Sequence, residues 1–472
     1  MKITRLLKVE LKRIFRPFPV LVAIAFAALY SYSILEIPTE DFTTFHMPVD
    51  TVRAAEDLME ITGPFIEPDE RKAAYDTLVA RYTEKVDGFI ANNAAFAEAG
   101  VKDYEDYKAL SRKAQFRDYQ AGPEMYVDTA GEKGNSSVSV STDESGGAIF
   151  ITGEGEDGAG PFVYDPETDY TLTAPEQYIM DDFMGELIGY FNLRMDFLHM
   201  MIGGEIPKDI PASEDAGGSV YDTIAKNYEP DGEPYRTDAQ TARIREMLAT
   251  GEVYGVLPEI VVHSVSDMMI PLMALILVLT AFLLTPIITG DRMTGVQALQ
   301  FSSKAGRRVL TAQLGAMLIA TLVVTTIALV CAGGVMYFLG WQHFVDTSIN
   351  SFMTEYMGRF WFKGTFGQYL LCMAGLAYVL AFAHAFVCFL ISKQSRQYIS
   401  MLLALVPWVA LFAVFLYFLL NNPFAFMSSD MSVGSVIGIP YIEVWIGAAL
   451  LVGSFLIATR SLKESRRRDV PY

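Results

Sequence analysis

The sequence predicts an α-helical membrane protein that crosses the bilayer six times and carries one large α+β domain on its outer side. Three observations predict it. The 472 residues are 52% hydrophobic, and their mean hydropathy is +0.28. The apolar residues gather into stretches long enough to cross a hydrocarbon layer. The charges gather as well: residues 36–267 hold 47 acidic and 17 basic residues, whereas the rest of the chain is basic.

Six stretches qualify as spans: Phe18–Leu35, Met268–Ile288, Val309–Leu339, Phe366–Ile391, Tyr398–Leu420 and Tyr441–Ala458. Orientation follows from their flanks, because basic connections stay on the cytoplasmic side. Lys2, Arg5, Lys8, Lys12, Arg13 and Arg16 precede the first span. Arg292, Lys304, Arg307 and Arg308 lie between the second and third, and Lys393 and Arg396 between the fourth and fifth. Arg460, Lys463, Arg466, Arg467 and Arg468 follow the last. Both termini are therefore expected in the cytoplasm, with residues 36–267, Gly340–Thr365 and Asn421–Pro440 outside. Tyr30-Ser-Tyr-Ser33 offers no small-residue cleavage site, so the first span reads as an uncleaved anchor.

Residues 1–17 read as a cytoplasmic amphipathic helix. Ile3, Leu6, Leu7, Ile14 and Phe15 recur near helical spacing among Lys and Arg, a pattern suited to the inner headgroup layer. At the other end, residues 459–472 form a basic tail.

The acidic region has no cysteine; Cys331, Cys372 and Cys388 all lie in apolar runs. It must therefore fold without disulfides, and its length suffices for a core of its own. Tyr75, Leu78, Val79, Tyr82, Val86, Phe89 and Ile90 form a helical stripe. Val138–Val140, Ala148–Ile151 and Phe162–Tyr164 read as short strands, and Pro175–Ile202 as a buried helix. Residues 218–227 and 236–249 read as short helices. The excess of acid excludes nucleic acid as a partner, since phosphate contacts need Lys and Arg. Gly153–Gly158 lacks the ligand spacing of a calcium loop and reads as solvated surface. His263 and Asp267, four residues apart, read as structural.

No catalytic motif is present: there is no phosphate-binding Gly-x4-Gly-Lys-Ser/Thr loop, no nucleophile elbow and no zinc-protease motif. The interiors of the spans hold no Asp, Glu, Lys or Arg, and His384 reads as a satisfied buried histidine. An ion-coupled carrier usually places charge there, so any driving force is expected from a separate protein. No cofactor is expected on this chain.

The loop Gly290-Asp-Arg-Met-Thr-Gly-Val-Gln-Ala-Leu-Gln-Phe-Ser-Ser-Lys-Ala-Gly-Arg-Arg-Val-Leu-Thr-Ala-Gln313 resembles the first cytoplasmic loop of ABC-2-type permeases. Asp291, Arg292, Gly295, Ser302, Ser303, Lys304, Gly306 and Arg307 match its pattern; Asp291 stands where the family more often has Glu. The helix before the first span, the six spans and the broken apolar segment Asn421–Pro440, similar to a re-entrant segment, extend the resemblance over most of the chain. The insertion at 36–267 resembles that of a bacterial subgroup. What this resemblance implies is a permease subunit of an ATP-driven exporter in the bacterial plasma membrane. Loop 289–308 would form a coupling helix on a cytoplasmic ABC ATPase, which holds ATP and Mg, and a second permease chain, alike or different, would complete a path lined by spans two and five. Val296, Leu299 and Phe301 offer an apolar face rimmed by Arg292, Lys304 and Arg307. The alternative reading is a membrane sensor or scaffold whose outer domain binds a ligand or partner.

Overall fold

A computed structural model describes residues 3–43, 46–121, 138–142, 148–152, 162–163, 168–183, 188–203, 237–302, 306, 308–354, 359–427 and 432–467. The chain divides into two compact units, Met1–Phe45 with Glu233–Tyr472, and His46–Gly232.

The first unit begins with α1 (Ile3–Ile14) and α2 (Pro17–Thr43). Pro17 opens α2 because a proline needs no N–H partner in a first turn. In the second unit come α3 (His46–Thr62), α4 (Arg71–Ala91), α5 (Ala94–Ala99), α6 (Tyr104–Ala121), strands β1 (Val138–Thr142), β2 (Ala148–Thr152) and β3 (Phe162–Val163), α7 (Ala174–Tyr178) and α8 (Ile188–Ile202). The strands make one antiparallel sheet in the order β1-β2-β3. Helix α4 buries Ala74, Leu78, Tyr82, Val86 and Ile90, one stripe at four-residue spacing. The apolar segment 175–202 is not a single helix. It is α7, a π-helical turn at Ile179–Phe183, and then α8, which packs on α3 and α4. Arg194 of α8 is buried against Asp50 at 2.9 Å, and Asp57 accepts from the Tyr82 hydroxyl at 2.5 Å. The expected helix at 218–227 and the loop Gly153–Gly158 lie outside the described residues.

Burial pushes the carboxyl of Asp196, on α8, up to about 6 from 3.8. A raised folded-state value means that stability is fully present below the unfolded value and is lost as pH rises through the folded one. In the full chain, resistance of the His46–Gly232 unit to protease should therefore fall as pH rises from about 4 through about 6. Asp196→Asn should flatten that part of the profile; an unchanged profile would refute the assignment.

The first unit continues with α9 (Asp238–Thr250), α10 (Glu259–Met293), α11 (Val296–Ser302), α12 (Arg308–Phe338), β4 (Arg359–Phe360), α13 (Phe366–Gln394), α14 (Tyr398–Leu420), β5 (Ala425–Met427), α15 (Val433–Ile437) and α16 (Ile442–Arg467). Five of these helices, α10, α12, α13, α14 and α16, are each long and apolar enough to cross a membrane. This is a multi-pass helical membrane protein. The first expected span qualifies among the described residues only as part of a pair, Thr4–Ile14 and Pro17–Tyr32, bent by 54°. Helix α10 lies at the centre: 72% of its apolar window is buried, against 22% for α14 and α16. It packs on α2, α12, α13 and α14.

The compact unit His46–Gly232 is narrower than the acidic region 36–267. Residues 237–258 fold with the membrane helices, held by contacts to two later connections. Thr237 caps α9 and Gly251 ends it at φ +73°. Arg243 pairs with Glu252 and donates to the Phe362 carbonyl at 3.0 Å. Asn350 donates to the same carbonyl at 2.9 Å, Gln240 to that of Phe426, and Lys363 pairs with Glu246. β4 pairs antiparallel with β5. The described part of the segment Asn421–Pro440 holds strand β5 and the short helix α15. The last expected span, whose interior holds no acid, begins with one. Glu443, third residue of the last predicted span, is fully buried in the first turn of α16. A Cβ on Gly434 would stand 2.6 Å from its Oε1, so only glycine lets α15 approach there.

Candidate functional site

The loop singled out by sequence lies where α10, α11 and α12 meet α1. Asp291, in the last turn of α10, is 3% exposed. Its carboxylate takes the Arg13 guanidinium of α1 in a two-pronged ion pair, with Nη1 to Oδ2 at 3.0 Å. Gln300 of α11 and Gln313 of α12 each donate to Oδ2 at 2.9 Å. Four donors from three helices fill the acceptor capacity of one carboxylate. Arg13 also holds Glu10 at 2.9 Å, and Glu10 is itself buried.

Arg292 points the other way. It donates to the carbonyls of Ser395 at 2.8 Å and Lys393 at 2.6 Å, at the C-terminal end of α13, and to Gln297 of α11 at 3.1 Å. A cation suits the electronegative end of a helix. Two adjacent residues thus tie the root of α11 to α1 and α12 on one side and to the α13–α14 connection on the other. Nearby, Thr289 meets Ser392 at 3.2 Å, and Ser392 donates to the Thr285 carbonyl.

Gly295 has φ +72° with open space around it, so it is required for its backbone and not for its size. Gly306 has φ +54°. The hydroxyl of exposed Ser302 donates to the Leu299 carbonyl. Ser303, Lys304 and Arg307 lie outside the described residues. Helix α11 buries none of its residues, and Leu299 is 72% exposed. The expected apolar face is divided: Val296 and Leu299, three apart, turn outward, whereas Phe301 packs against the bundle core. At 100° per residue, Phe301 stands roughly 160° around the helix from Leu299.

Sequence reasoning placed Asp291 and Arg292 but not their partners. Arg13 was read with its neighbours as a topology signal. It differs from them in position: Arg5, Lys8 and Lys12 are exposed along one face of α1, whereas Leu6, Glu10 and Ile14 are buried on the other. The Glu10–Arg13 spacing of three marks that inner side.

No family model, no curated protein and no solved structure matches this chain. The site is thus interpreted from its own geometry.

Between α1 and the α10–α11 corner lies a cleft of about 1100 Å³, reaching from Asp291 and Thr294 up to Phe282, with Tyr398 on its wall. His384 lies elsewhere, fully buried in α13. Trp408 donates to its Nδ1 at 3.1 Å, so Nε2 carries the proton and faces the Leu277 carbonyl at 3.1 Å. Both nitrogens are occupied, which leaves a neutral ring fixed between three helices. Among the described residues no group of three or more His, Cys, Asp or Glu side chains is arranged to hold a metal.

Proposed function

We propose that this chain is the permease subunit of an ATP-driven ABC exporter of the ABC-2 type in a bacterial plasma membrane. In this reading α1 lies on the cytoplasmic face, α2 makes the first of six crossings, both termini are cytoplasmic and the acidic unit is outside. Helix α11 is the coupling helix, ATP and Mg are held by a separate ATPase, and a second permease chain completes the pathway.

The observation that carries the reading is the contrast within the α10–α12 corner. The short helix α11 is unburied and presents Leu299 outward, yet its root is clamped by Asp291 and Arg292. A free loop whose only task is topology needs no such clamp. A lever needs both parts: a surface for a moving partner, and a stiff connection that passes displacement to several helices at once. Pushing α11 would load α10, the most buried helix, directly.

The test is co-purification of the chain with an ABC ATPase encoded beside it. Association that survives detergent extraction, together with ATP-dependent transport, is the expected result. A chain that binds no ATPase, and keeps its cellular role after residues 292–308 are deleted, would favour a sensor or scaffold instead.

A further inference from the structure

We propose that the cleft between α1 and the α10–α11 corner is a binding site for one anionic phospholipid, drawn from the leaflet against which α1 lies. The inference rests on the membrane character of the chain and not on the exporter reading.

The cleft has two chemically different ends. Its upper end is walled by Phe282, Pro286 and Ile287 of α10, and Phe282 is 43% exposed. Phe282 precedes Asp291 by nine residues, which is about 13 Å along a helix axis. The cleft therefore reaches well into the apolar length of α10. A segment of soluble protein entering there would bury unpaired backbone groups in hydrocarbon, whereas an acyl chain carries none.

The lower end mixes the apolar Val296, Leu299 and Val309 with charged side chains that are unequally engaged. Arg13 is occupied by the two buried acids Asp291 and Glu10. Arg16 also lines the cleft; it is exposed and pairs with no acid among the described residues. Beside the cleft, the outward face of α1 adds Arg5, Lys8 and Lys12, all exposed. An exposed cation thus lines the same cleft as the apolar wall of α10, with further positive charge beside it on α1. An amphiphile with an anionic head and an acyl tail satisfies both ends; a free phosphate satisfies only one. The hydroxyl of Tyr398, on the same wall, gives the head a neutral donor.

The experiment is native mass spectrometry of the full chain, released from detergent containing equal phosphatidylglycerol and phosphatidylcholine. One retained phosphatidylglycerol per chain, in preference to phosphatidylcholine, is expected. Arg16→Gln should lower that preference about fivefold, the loss of one basic contact at a lipid surface. Val9→Trp, at an exposed position on the cleft wall, should lower retention of both lipids. Equal retention of the two lipids by the unaltered chain, or an unchanged preference in Arg16→Gln, would overturn the proposal. So would complete displacement of the lipid by glycerol phosphate, which would show a site for the head alone. Failure to bind an ATPase would leave each of these outcomes unaffected.

Discussion

Arg13→Met should destabilise the membrane unit by about 3–5 kcal/mol, the cost of leaving buried charge without its partner. The substitution keeps much of the side chain's length and its apolar stem. What it removes is the only cation paired with Asp291 and Glu10 among the described residues, and these acids are 3% and 4% exposed. Gln300 and Gln313 still donate to Asp291, but two neutral amides cannot balance two carboxylates. The midpoint of thermal unfolding in detergent measures the loss. A double-mutant cycle separates the ion pair from general damage: once Asp291→Leu removes one acid, adding Arg13→Met should cost far less than it does alone. Strictly additive losses would show that α1 is held by its apolar face and that the ion pair is incidental.

On the exporter proposal, Leu299→Glu should leave that midpoint in place and weaken association with the proposed partner ATPase at least tenfold. The side chain is 72% exposed and touches little of its own chain, so its replacement costs the fold almost nothing. In a complex, a buried leucine contributes about 1.5–3 kcal/mol by leaving water, and a glutamate in the same pocket adds the cost of desolvating a charge. Each 1.4 kcal/mol is a factor of ten in affinity. Titration of the purified ATPase against unaltered and substituted chains in nanodiscs reads the effect directly. Phe301→Glu is the complementary control: Phe301 packs inward, so its substitution should lower the unfolding midpoint. If Leu299→Glu binds as the unaltered chain does, α11 is not the docking surface.

Both substitutions bear on a short stretch that the sequence had marked, one through Leu299 within it and one through Arg13, which pairs with its Asp291. The resemblance of loop 289–308 singled out Asp291, Arg292 and Gly295, just beyond the second expected span. It could not say that Asp291 faces inward, because burial of a charge depends on whether a cation from elsewhere reaches it. That cation comes from Arg13, 278 residues away. In the same way Val296, Leu299 and Phe301 read as one apolar face, although the helical angle between Leu299 and Phe301 already separates them. The Glu252–Arg243–Phe362 cluster escaped notice because its members come from connections more than a hundred residues apart. Residues 236–249 read as a short helix and the later connection as a loop, and neither pattern reports long-range pairing.

The sequence by itself determined that this is a helical membrane protein, because crossing hydrocarbon requires a continuous apolar run that satisfies its own backbone, and such a run is a local property. It also determined the inward and outward faces of α4, which follow from a period of nearly four. Only the tertiary structure decided which charges pair, where the acidic unit ends and which side of α11 stays exposed. These depend on contacts between residues distant in the chain: an arginine is a solvated topology signal at one position of α1 and a half-buried clamp on buried acids at another, according to what packs against it.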